Sequence, residues 1–533
     1  MRTRLAALAV IGLAAALRIW GLRFGLPHTL TRPDEEAVFA IALQIFQRHF
    51  NPQFFDWPSL YLYAVGAADV LYFNIERLAG RFTYEYDFLI AASQNPGPLF
   101  LIARAMTAAM GTATVWLVYR IGLRLFDRHT ALMAALFLAV VPLHARDSHF
   151  GVPDIAATAL VAASFLFTAR YWQSERSKDV LLAAMFAGLA ASAKYNAGLV
   201  AVPALLAVVH PREGGWRFGP SQIRLSAIMC GIAMATFLIG TPYALLDWRG
   251  FLTGLQRDTA HLRAGHAALQ GWAWRVHLTS SLWFGLRWPV LVAAFFGLAS
   301  FIARDRRRGL LVSLFPLLYF AIIGAGQTAF ARYIIPIVPF LCLAAAYGVS
   351  QVAQMLALRA QWRMPMVAWP LAILVAIPST LATIRIDRLL ASTDNRLIAA
   401  AWIATEFPDG TTLYQSGAQY GQVQMQTSAG NRRERYPRIM FNEETGIFTA
   451  DDGTAASSPA VVVIQEHPLT YSRTPESVRR FLNSGYQLRA SFAALDSADP
   501  RLVFDEDDAF YVPLDGFDAV ARAGPNLMIY ERK

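Results

Sequence analysis

Residues 331–352 read ARYIIPIVPFLCLAAAYGVSQV, an Arg-Tyr pair followed by a long apolar run. An α-helix rises about 1.5 Å per residue, so about 20 apolar residues cross the hydrocarbon core of a bilayer. This stretch therefore predicts a membrane-spanning helix that begins near Arg332 and Tyr333 at one interface. Comparable runs predict about eleven spans in total, at 5–22, 99–119, 129–143, 155–172, 180–192, 195–209, 224–246, 286–303, 309–325, 331–352 and 366–386.

The composition agrees with a polytopic α-helical membrane protein. Hydrophobic residues make up 56% of the chain and charged residues only 16%, whereas soluble domains carry about 25% charged residues. The net charge of +10 is typical of arginines in cytoplasmic loops and does not indicate a nucleic-acid partner. Cys230 and Cys342 both lie in apolar segments, so neither a disulfide framework nor a thiolate metal site is predicted.

Basic residues set the predicted orientation. If the spans alternate, the Lys and Arg residues at 2–4, 120–128, 170–178, 212–224, 304–308 and 359–363 fall on one side. The positive-inside rule makes that side cytoplasmic, which predicts a multi-pass protein of the plasma (inner) membrane with a cytoplasmic N-terminus. Arg18 and Trp20 stand where a signal peptide has small residues, so the first helix is predicted to be uncleaved.

The apolar stretch 59–75 would break this parity if it crossed the bilayer. It contains Asp69, and we interpret it as a helix at the outer interface. The transmembrane domain is predicted to cover residues 1–388, including an outer loop at 23–98 with its juxtamembrane helices.

After residue 388 charged residues become frequent. Residues 460–464 (AVVVI) predict a buried strand, and residues 396–407 predict an amphipathic helix that ends before Pro408. This mixture predicts a soluble α/β domain over residues 389–533, on the extracytoplasmic side.

The first outer loop carries three successive carboxylates, Asp34, Glu35 and Glu36, directly after Pro33. They suit the first turn of an interfacial helix, where they complement the helix dipole and Asp34 caps the end. A carboxylate at the membrane surface is also what a general base needs to deprotonate a hydroxyl beside a lipid-borne donor. Both interpretations stay open at this point.

Charged residues also crowd the second outer loop, which reads HARDSHFGVPD over residues 144–154. Between two apolar spans such residues are costly unless they are paired or line a wet cavity. Asp154 suits the N-cap of the next span, but a cap does not account for Arg146 and His149.

Lys194 and Arg332 lie near the outer ends of spans by the same parity. Snorkelling to the interface is one explanation, because it costs a long basic side chain little. Phosphate binding is the other, because a guanidinium suits bidentate contact with phosphate.

No metal site or cofactor is predicted. His261 and His266 are five residues apart, which places them on poorly matched helix faces. The acidic run DEDD at 505–508 lacks calcium-loop spacing and is interpreted as a solvated turn.

Taken in order, the motifs resemble those of a known family. The matching residues are Asp34-Glu35, Pro58-Ser59-Leu60-Tyr61, Arg104 ahead of Gly111, the loop from His144 to Asp154, Ala193-Lys194-Tyr195-Asn196, and Arg332-Tyr333-Ile334-Ile335-Pro336. They resemble the lipid-carrier-dependent glycosyltransferases of the C superfamily, which include the protein O-mannosyltransferases and the aminoarabinose transferases that modify lipid A. The resemblance covers nearly the whole chain.

This resemblance implies an inverting glycosyltransferase at the outer leaflet. Asp34, with Glu35 beside it, would take a proton from an acceptor hydroxyl, which attacks C1 of a polyprenyl-phosphate sugar. Asp154 is implied as a further catalytic carboxylate, and the acceptor as an envelope lipid, glycan or protein. Cations stabilise a leaving lipid phosphate, and the residues expected there are Arg332, Lys194, Arg146 and Arg104. Tyr333, His149 and Tyr61 are expected to make other substrate contacts.

The chain departs from the family at two positions. Trp57 stands where aminoarabinose transferases have a lysine and protein mannosyltransferases a histidine. The basic residue that follows the Asp-Glu pair in the family is missing, with Ala37 and Val38 in that stretch. Both departures count against lipid A modification, and the tail shows none of the sugar-binding repeats expected for protein mannosylation. A transporter or flippase of lipid-linked saccharides and a non-catalytic envelope assembly protein are the alternatives.

Overall fold

The computed structural model describes residues 2–210, 215–265, 272–425, 435–450, 452–506, 508 and 510–533. Its α-helices are α1 (Arg2–Ile19), α2 (Glu35–Gln44), α3 (Leu60–Leu78), α4 (Glu85–Gln94), α5 (Gly97–Leu125), α6 (Arg128–Val140), α7 (Pro142–Asp147), α8 (Pro153–Ser174), α9 (Ser177–Ala193), α10 (Ala201–Val209), α11 (Pro220–Gly240), α12 (Tyr243–Leu246), α13 (Trp248–Ala264), α14 (Ala273–Val276), α15 (Leu282–Leu286), α16 (Trp288–Arg304), α17 (Arg306–Gly324), α18 (Val338–Ala360), α19 (Met364–Ala391), α20 (Asn395–Glu406) and α21 (Glu476–Gly485). The strands are β1 (Leu413–Gln415), β2 (Arg438–Asn442), β3 (Ile447–Ala450), β4 (Val461–Glu466), β5 (Tyr486–Phe492) and β6 (Asn526–Arg532).

The chain forms two compact units. The helical unit comprises Met1–Trp20, Ala37–Phe82 and Leu99–Ile384, and the sheet unit comprises Gly21–Glu36, Thr83–Pro98 and Arg385–Lys533. The sheet unit thus contains the predicted soluble domain together with two pieces of the predicted outer loop. One of those pieces carries the three carboxylates.

Several helices are long and apolar enough to cross a membrane. Among the described residues they are Gly97–Leu125, Pro153–Ser174, Pro220–Gly240, Arg306–Gly324, Ala331–Ala360 and Met364–Glu406. The pair Ala273–Leu286 and Trp288–Arg304 passes the same test together but bends by 113° at its break. The chain is a multi-pass membrane protein, as predicted.

The predicted number of about eleven spans stays a prediction. Several predicted spans form helices shorter than a bilayer crossing, such as α9 with 17 residues and α10 with 9. The stretch predicted to lie at the outer interface forms α3, which is not among the candidate spans.

Helix α8 lies at the centre of the helical unit. Of its most apolar window 83% is buried, against 11% for α11. Its buried residues lie on every side of the helix, including Ile155, Ala157, Ala162 and Phe165, as expected of a helix that is apolar all round. The residues at the start of α8, where Asp154 lies, are therefore held in a packed environment.

Helices α16 and α18 approach closely through small residues. A Cβ atom added to Gly297 would lie 1.8 Å from the carbonyl oxygen of Ala344, and one added to Gly348 would lie 2.5 Å from that of Ala293. Each helix therefore presents two small residues four positions apart, the pattern that lets membrane helices pack backbone to backbone.

The sheet unit has a six-stranded sheet in the order β3-β2-β1-β4-β6-β5. Strands β2, β1 and β4 are parallel, whereas β3, β6 and β5 pair antiparallel with their neighbours. Val461 and Val463 of β4 join a core cluster with α20, while Val462 and Ile464 join one with α21. Alternate residues of a strand face opposite sides, so helices cover both faces of the sheet. The predicted α/β character, the strand at 460–464 and the helix at 396–407 are confirmed.

We expect Gly297→Ala to destabilise the protein by about 1–3 kcal/mol, because the added methyl group forces α16 and α18 apart. The control is Gly231→Ala in α11, where an added Cβ meets nothing within 4 Å. There alanine should stabilise the helix by up to about 1 kcal/mol. Thermal unfolding of both purified variants in detergent measures the two effects, and equal melting temperatures would contradict the predicted close contact.

Candidate active site

An ion pair between Asp154 and Lys194 is central to the candidate site in the helical unit. Asp154 lies in the first turn of α8, just after Pro153, and Lys194 directly follows the last residue of α9. The ammonium of Lys194 pairs with Oδ1 of Asp154, and the two side chains are only 16% and 5% exposed. Val152, not Asp154, is the N-cap of α8, so the capping interpretation of Asp154 is wrong.

Arg332 and Tyr333 join this pair from the start of the predicted tenth span. Residues Ala331–Ile337 form a 3₁₀ helix before α18 begins at Val338. Proline rings cannot donate to an α-helical ladder, and Pro336 interrupts it here. The tighter turn leaves the ring of Tyr333 with its centroid 4.6 Å from Nζ of Lys194, and Arg332 Cζ 4.7 Å from the ring of Phe330.

Hydrogen bonds fix the backbone of this turn and of its neighbours. The Tyr319 hydroxyl of α17 donates to the carbonyl oxygen of Tyr333 at 3.0 Å. The hydroxyl of Tyr195, next to Lys194, donates to the carbonyl oxygen of Phe55 at 3.0 Å.

Burial raises the pKa of Asp258 in α13, while the positive charge of Lys194 acts in the opposite direction. Two cations and one carboxylate in an apolar setting can bind an anionic group such as a phosphate.

His277 is a further residue of this region that the sequence did not single out. It begins a π-helical turn, His277–Ser281, which packs against the 3₁₀ helix that carries Arg332. The imidazole is fully buried, Nδ1 lies 3.1 Å from the Ser281 hydroxyl, and Nε2 has no hydrogen-bond partner among the described residues. Single π-helical turns occur frequently at functional sites. A π-helical turn depends on packing, so the sequence carried no signal for it.

Four other predicted residues also lie in the helical unit, and Arg146 is on α7, which packs against the 3₁₀ helix that carries Arg332. Arg146 pairs with its neighbour Asp147 at 2.9 Å, and both side chains are fully buried. The ring nitrogens of His149 lie 3.0 Å from the carbonyl oxygens of Ala145 and Trp20. Their substrate contacts stay predictions.

Arg104 of α5 and Tyr61 of α3 are both buried. The Tyr61 hydroxyl lies 2.7 Å from the Thr107 hydroxyl and 3.2 Å from the carbonyl oxygen of Ala103. This pair of bonds attaches α3 to the turn of α5 that carries Arg104. Their roles also stay predictions.

Asp34 and Glu35 belong to the sheet unit. Asp34 precedes α2 and has a positive φ of 74°, whereas Glu35 and Glu36 form the first turn of that helix. Such a φ is uncommon for a residue with a side chain and marks backbone strain. Glu35 is 2% exposed, and the Tyr420 hydroxyl donates to Oε1 of Glu36 at 2.7 Å.

The acidic run at 505–508 is not a solvated turn. Asp508 is buried and pairs with the buried Arg32 at 2.7 Å, so that interpretation was wrong. Among the residues that the structure describes, no three His, Cys, Asp or Glu side chains are grouped as metal ligands. The expectation that His261 and His266 do not form a metal site is untested, since His266 lies outside those residues.

The chain is similar to known proteins in part of its sequence and in its fold. Residues 97–240 match the family model described as dolichyl-phosphate-mannose-protein mannosyltransferase. The fold is similar to that of ArnT from Cupriavidus metallidurans in the apo state, with a TM-score of 0.52, 14% identity and coverage of 98% of this chain and 97% of that one. No curated protein sequence matches the chain significantly.

A second similar structure is the archaeal oligosaccharyltransferase AglB from Archaeoglobus fulgidus, solved with an inhibitory peptide and a dolichol-phosphate. Its TM-score is 0.50 at 14% identity, and the match covers 79% of this chain. The chain spans only 63% of that enzyme's length. The family match and the shared fold together confirm the predicted resemblance to the glycosyltransferases of the C superfamily.

Proposed function

We propose that the protein is an inverting glycosyltransferase that moves a sugar from a polyprenyl-phosphate donor to an acceptor hydroxyl. The reaction is placed at the outer face of the plasma membrane, in keeping with the distribution of basic residues. The observation that carries this proposal is the cluster of Lys194, Asp154, Arg332 and Tyr333 inside an apolar helical unit. Charges inside membrane segments are expensive, so a cluster of them indicates a functional site.

The chemistry of the donor explains why cations are needed there. When C1 of the sugar leaves its phosphate, the electron pair of the C1–O bond stays on the phosphate oxygen. Positive groups in a low-dielectric site stabilise that developing charge without having to reorganise. Lys194 and Arg332 supply two such charges, and the ion pair with Asp154 holds the Lys194 ammonium in place.

Asp34 is the proposed general base. It accepts the proton of the acceptor hydroxyl as the oxygen attacks C1 from the face opposite the phosphate, which inverts the configuration. The sugar is then bonded to the acceptor, the lipid phosphate leaves, and the proton passes from Asp34 to water. Glu35 lies beside this carboxylate, and no metal ion takes part in the scheme.

The known proteins support the donor class. The matching family model is named for a dolichyl-phosphate sugar, and the archaeal enzyme of similar fold was solved with a dolichol-phosphate. The acceptor is proposed to be an envelope lipid, glycan or protein. A transporter or flippase would need the same anion-binding cluster but no base, so replacing Asp34 distinguishes the two functions.

Asp34→Asn should lower the rate of sugar transfer by about 10²–10⁴-fold, the usual contribution of a general base, while donor binding stays within twofold. Cells that lack the protein are complemented with each variant, and mass spectrometry of envelope lipids and glycans identifies the transferred sugar. Asp409→Asn, an exposed carboxylate of the sheet unit, is the control. Full transfer by Asp34→Asn would reject the base assignment.

Arg332→Ala should weaken binding of polyprenyl phosphate about tenfold or more, because a charged hydrogen bond contributes about 1.5–3 kcal/mol, and should leave acceptor affinity within twofold. Arg359→Ala, at the other end of α18, removes the same charge far along the helix and is the control. Titration of both variants in detergent measures the affinities. Equal losses for donor and acceptor would mean that Arg332 has a structural role.

Lys194→Met should destabilise the protein by about 3–5 kcal/mol, because it leaves the buried Asp154 carboxylate without its partner. The double variant Lys194→Met/Asp154→Leu should recover most of that stability, since no uncompensated charge remains. Donor binding should be lost in both variants. A double variant that melts like the wild type and still binds donor would show that the pair serves folding alone.

A further inference from the structure

The carboxyl ends of the neighbouring parallel strands β1 and β4 are the edge at which a sheet of this topology would bind a ligand. Strand β1 lies between β2 and β4, so the chain leaves β1 toward one side of the sheet and leaves β4 toward the other. In open α/β sheets, ligands bind where neighbouring connections diverge in this way. Residues 416–424 follow β1 at this edge of the sheet, and residues 467–469 follow β4.

The chain's own acidic segment, residues 28–36, contacts the loop that follows β1. Nε2 of His28 donates to the carbonyl oxygen of Gln422 at 2.7 Å, and the backbone N–H of Thr29 donates to the side chain of Gln424 at 2.8 Å. Burial lowers the pKa of His28 to about 4. The neutral imidazole can thus donate through Nε2 while Nδ1 accepts from the backbone N–H of Leu30 at 3.2 Å.

Two further contacts fix the acidic end of the segment. Arg32 forms its ion pair with Asp508 at 2.7 Å, with side chains 0% and 1% exposed, and its Cζ lies 5.2 Å from the ring of Phe510. On the other side of Asp34, the Tyr420 hydroxyl donates to Glu36. Tyr420 comes from the loop that follows β1.

Asp34 is therefore held between two anchored neighbours. Its positive φ of 74° is strained for a residue with a side chain, and such a conformation persists only where the surroundings impose it. The anchors at residues 32 and 36 impose it, because they hold the chain on both sides within two residues.

We propose that the sheet domain uses the loop at the carboxyl end of β1, together with Asp508, to hold the acidic segment, and that Tyr420 is a positioning residue that sets Asp34 through Glu36. The role of Asp34 rests on the proposed function, whereas the anchoring of the segment does not. The sheet domain then fixes the conformation of the acidic segment.

The electrostatics of Glu36 make this proposal measurable. The titratable and charged groups that face it are Asp34, Arg32 and Tyr420; burial raises its pKa, and the hydrogen bond from Tyr420 lowers it. Removal of the hydroxyl leaves burial and the negative charge of Asp34 unopposed by that bond. Glu36 then takes up a proton at a higher pH than in the wild type, and the acidic limb of the activity profile moves in the same direction.

Tyr420→Phe should therefore shift the acidic limb of kcat upward by about one pH unit, the effect of losing one hydrogen bond to a carboxylate, while donor KM stays within twofold. Tyr436→Phe is the matched control, because its hydroxyl donates to the carbonyl oxygen of Phe407 in the same unit at 2.8 Å. That variant should keep the wild-type profile. An unchanged profile for Tyr420→Phe would overturn the positioning role.

Hydrogen–deuterium exchange of the full-length protein tests the anchoring without any activity. Asp508→Asn should speed amide exchange in residues 28–36 at least tenfold and leave exchange in β4 unchanged. Unchanged exchange in residues 28–36 would overturn the proposal that the sheet domain anchors this segment. If Asp34→Asn keeps full transfer, the proposed base fails while the exchange result still decides the anchoring. If Asp34→Asn is inactive and Tyr420→Phe has the wild-type pH profile, only the positioning role fails.

Discussion

The constraint on which the helical unit depends is that a charge among apolar residues must have a partner. Lys194 and Asp154 satisfy each other at the meeting point of two helix ends, where the chain also changes direction. Burial makes each of these groups expensive alone. The pair links the first turn of α8 to the residue that follows α9, and the same ammonium lies beside the ring of Tyr333.

The tenth span shows how the same region departs from regular geometry. An α-helix from residue 331 onward would be the cheapest way to satisfy the backbone, yet the chain forms a 3₁₀ helix as far as Ile337. The neighbouring segment at His277 departs in the opposite sense, with a π-helical turn. A 3₁₀ or π-helical turn inside a helical unit points side chains in directions that a regular α-helix would not allow. Both departures lie next to the charged cluster.

In the sheet unit the constraint is a segment of adjacent like charges that contains a strained residue. A segment with three adjacent carboxylates repels itself, and a strained residue within it would relax if its flanks were free. Arg32 with Asp508 and Glu36 with Tyr420 hold both flanks. The same contacts explain why the acidic run near residue 508 is buried, since Asp508 has a guanidinium partner that nothing near it in the sequence reveals.

The sequence by itself determined the features that depend on local composition. The apolar runs determined a multi-pass helical chain, and the frequent charged residues, the apolar strand at 460–464 and the amphipathic helix after residue 388 determined an α/β domain. Motif order also predicted Asp34, Asp154, Lys194 and Arg332 as site residues, because residue types in a given order can be read without distances. The number of spans was not determined, since helices as short as α10 cross a bilayer only with partners.

Only the tertiary structure decided which charges meet. Glu36 and Tyr420 are 384 residues apart, and Arg32 and Asp508 are 476 apart. No periodicity or spacing links residues at such separations, because the fold alone brings them together. In residues 331–352 the apolar run by itself predicted a span. The 3₁₀ start of this span and the approach of Lys194 to Tyr333 follow from packing against α8 and α17.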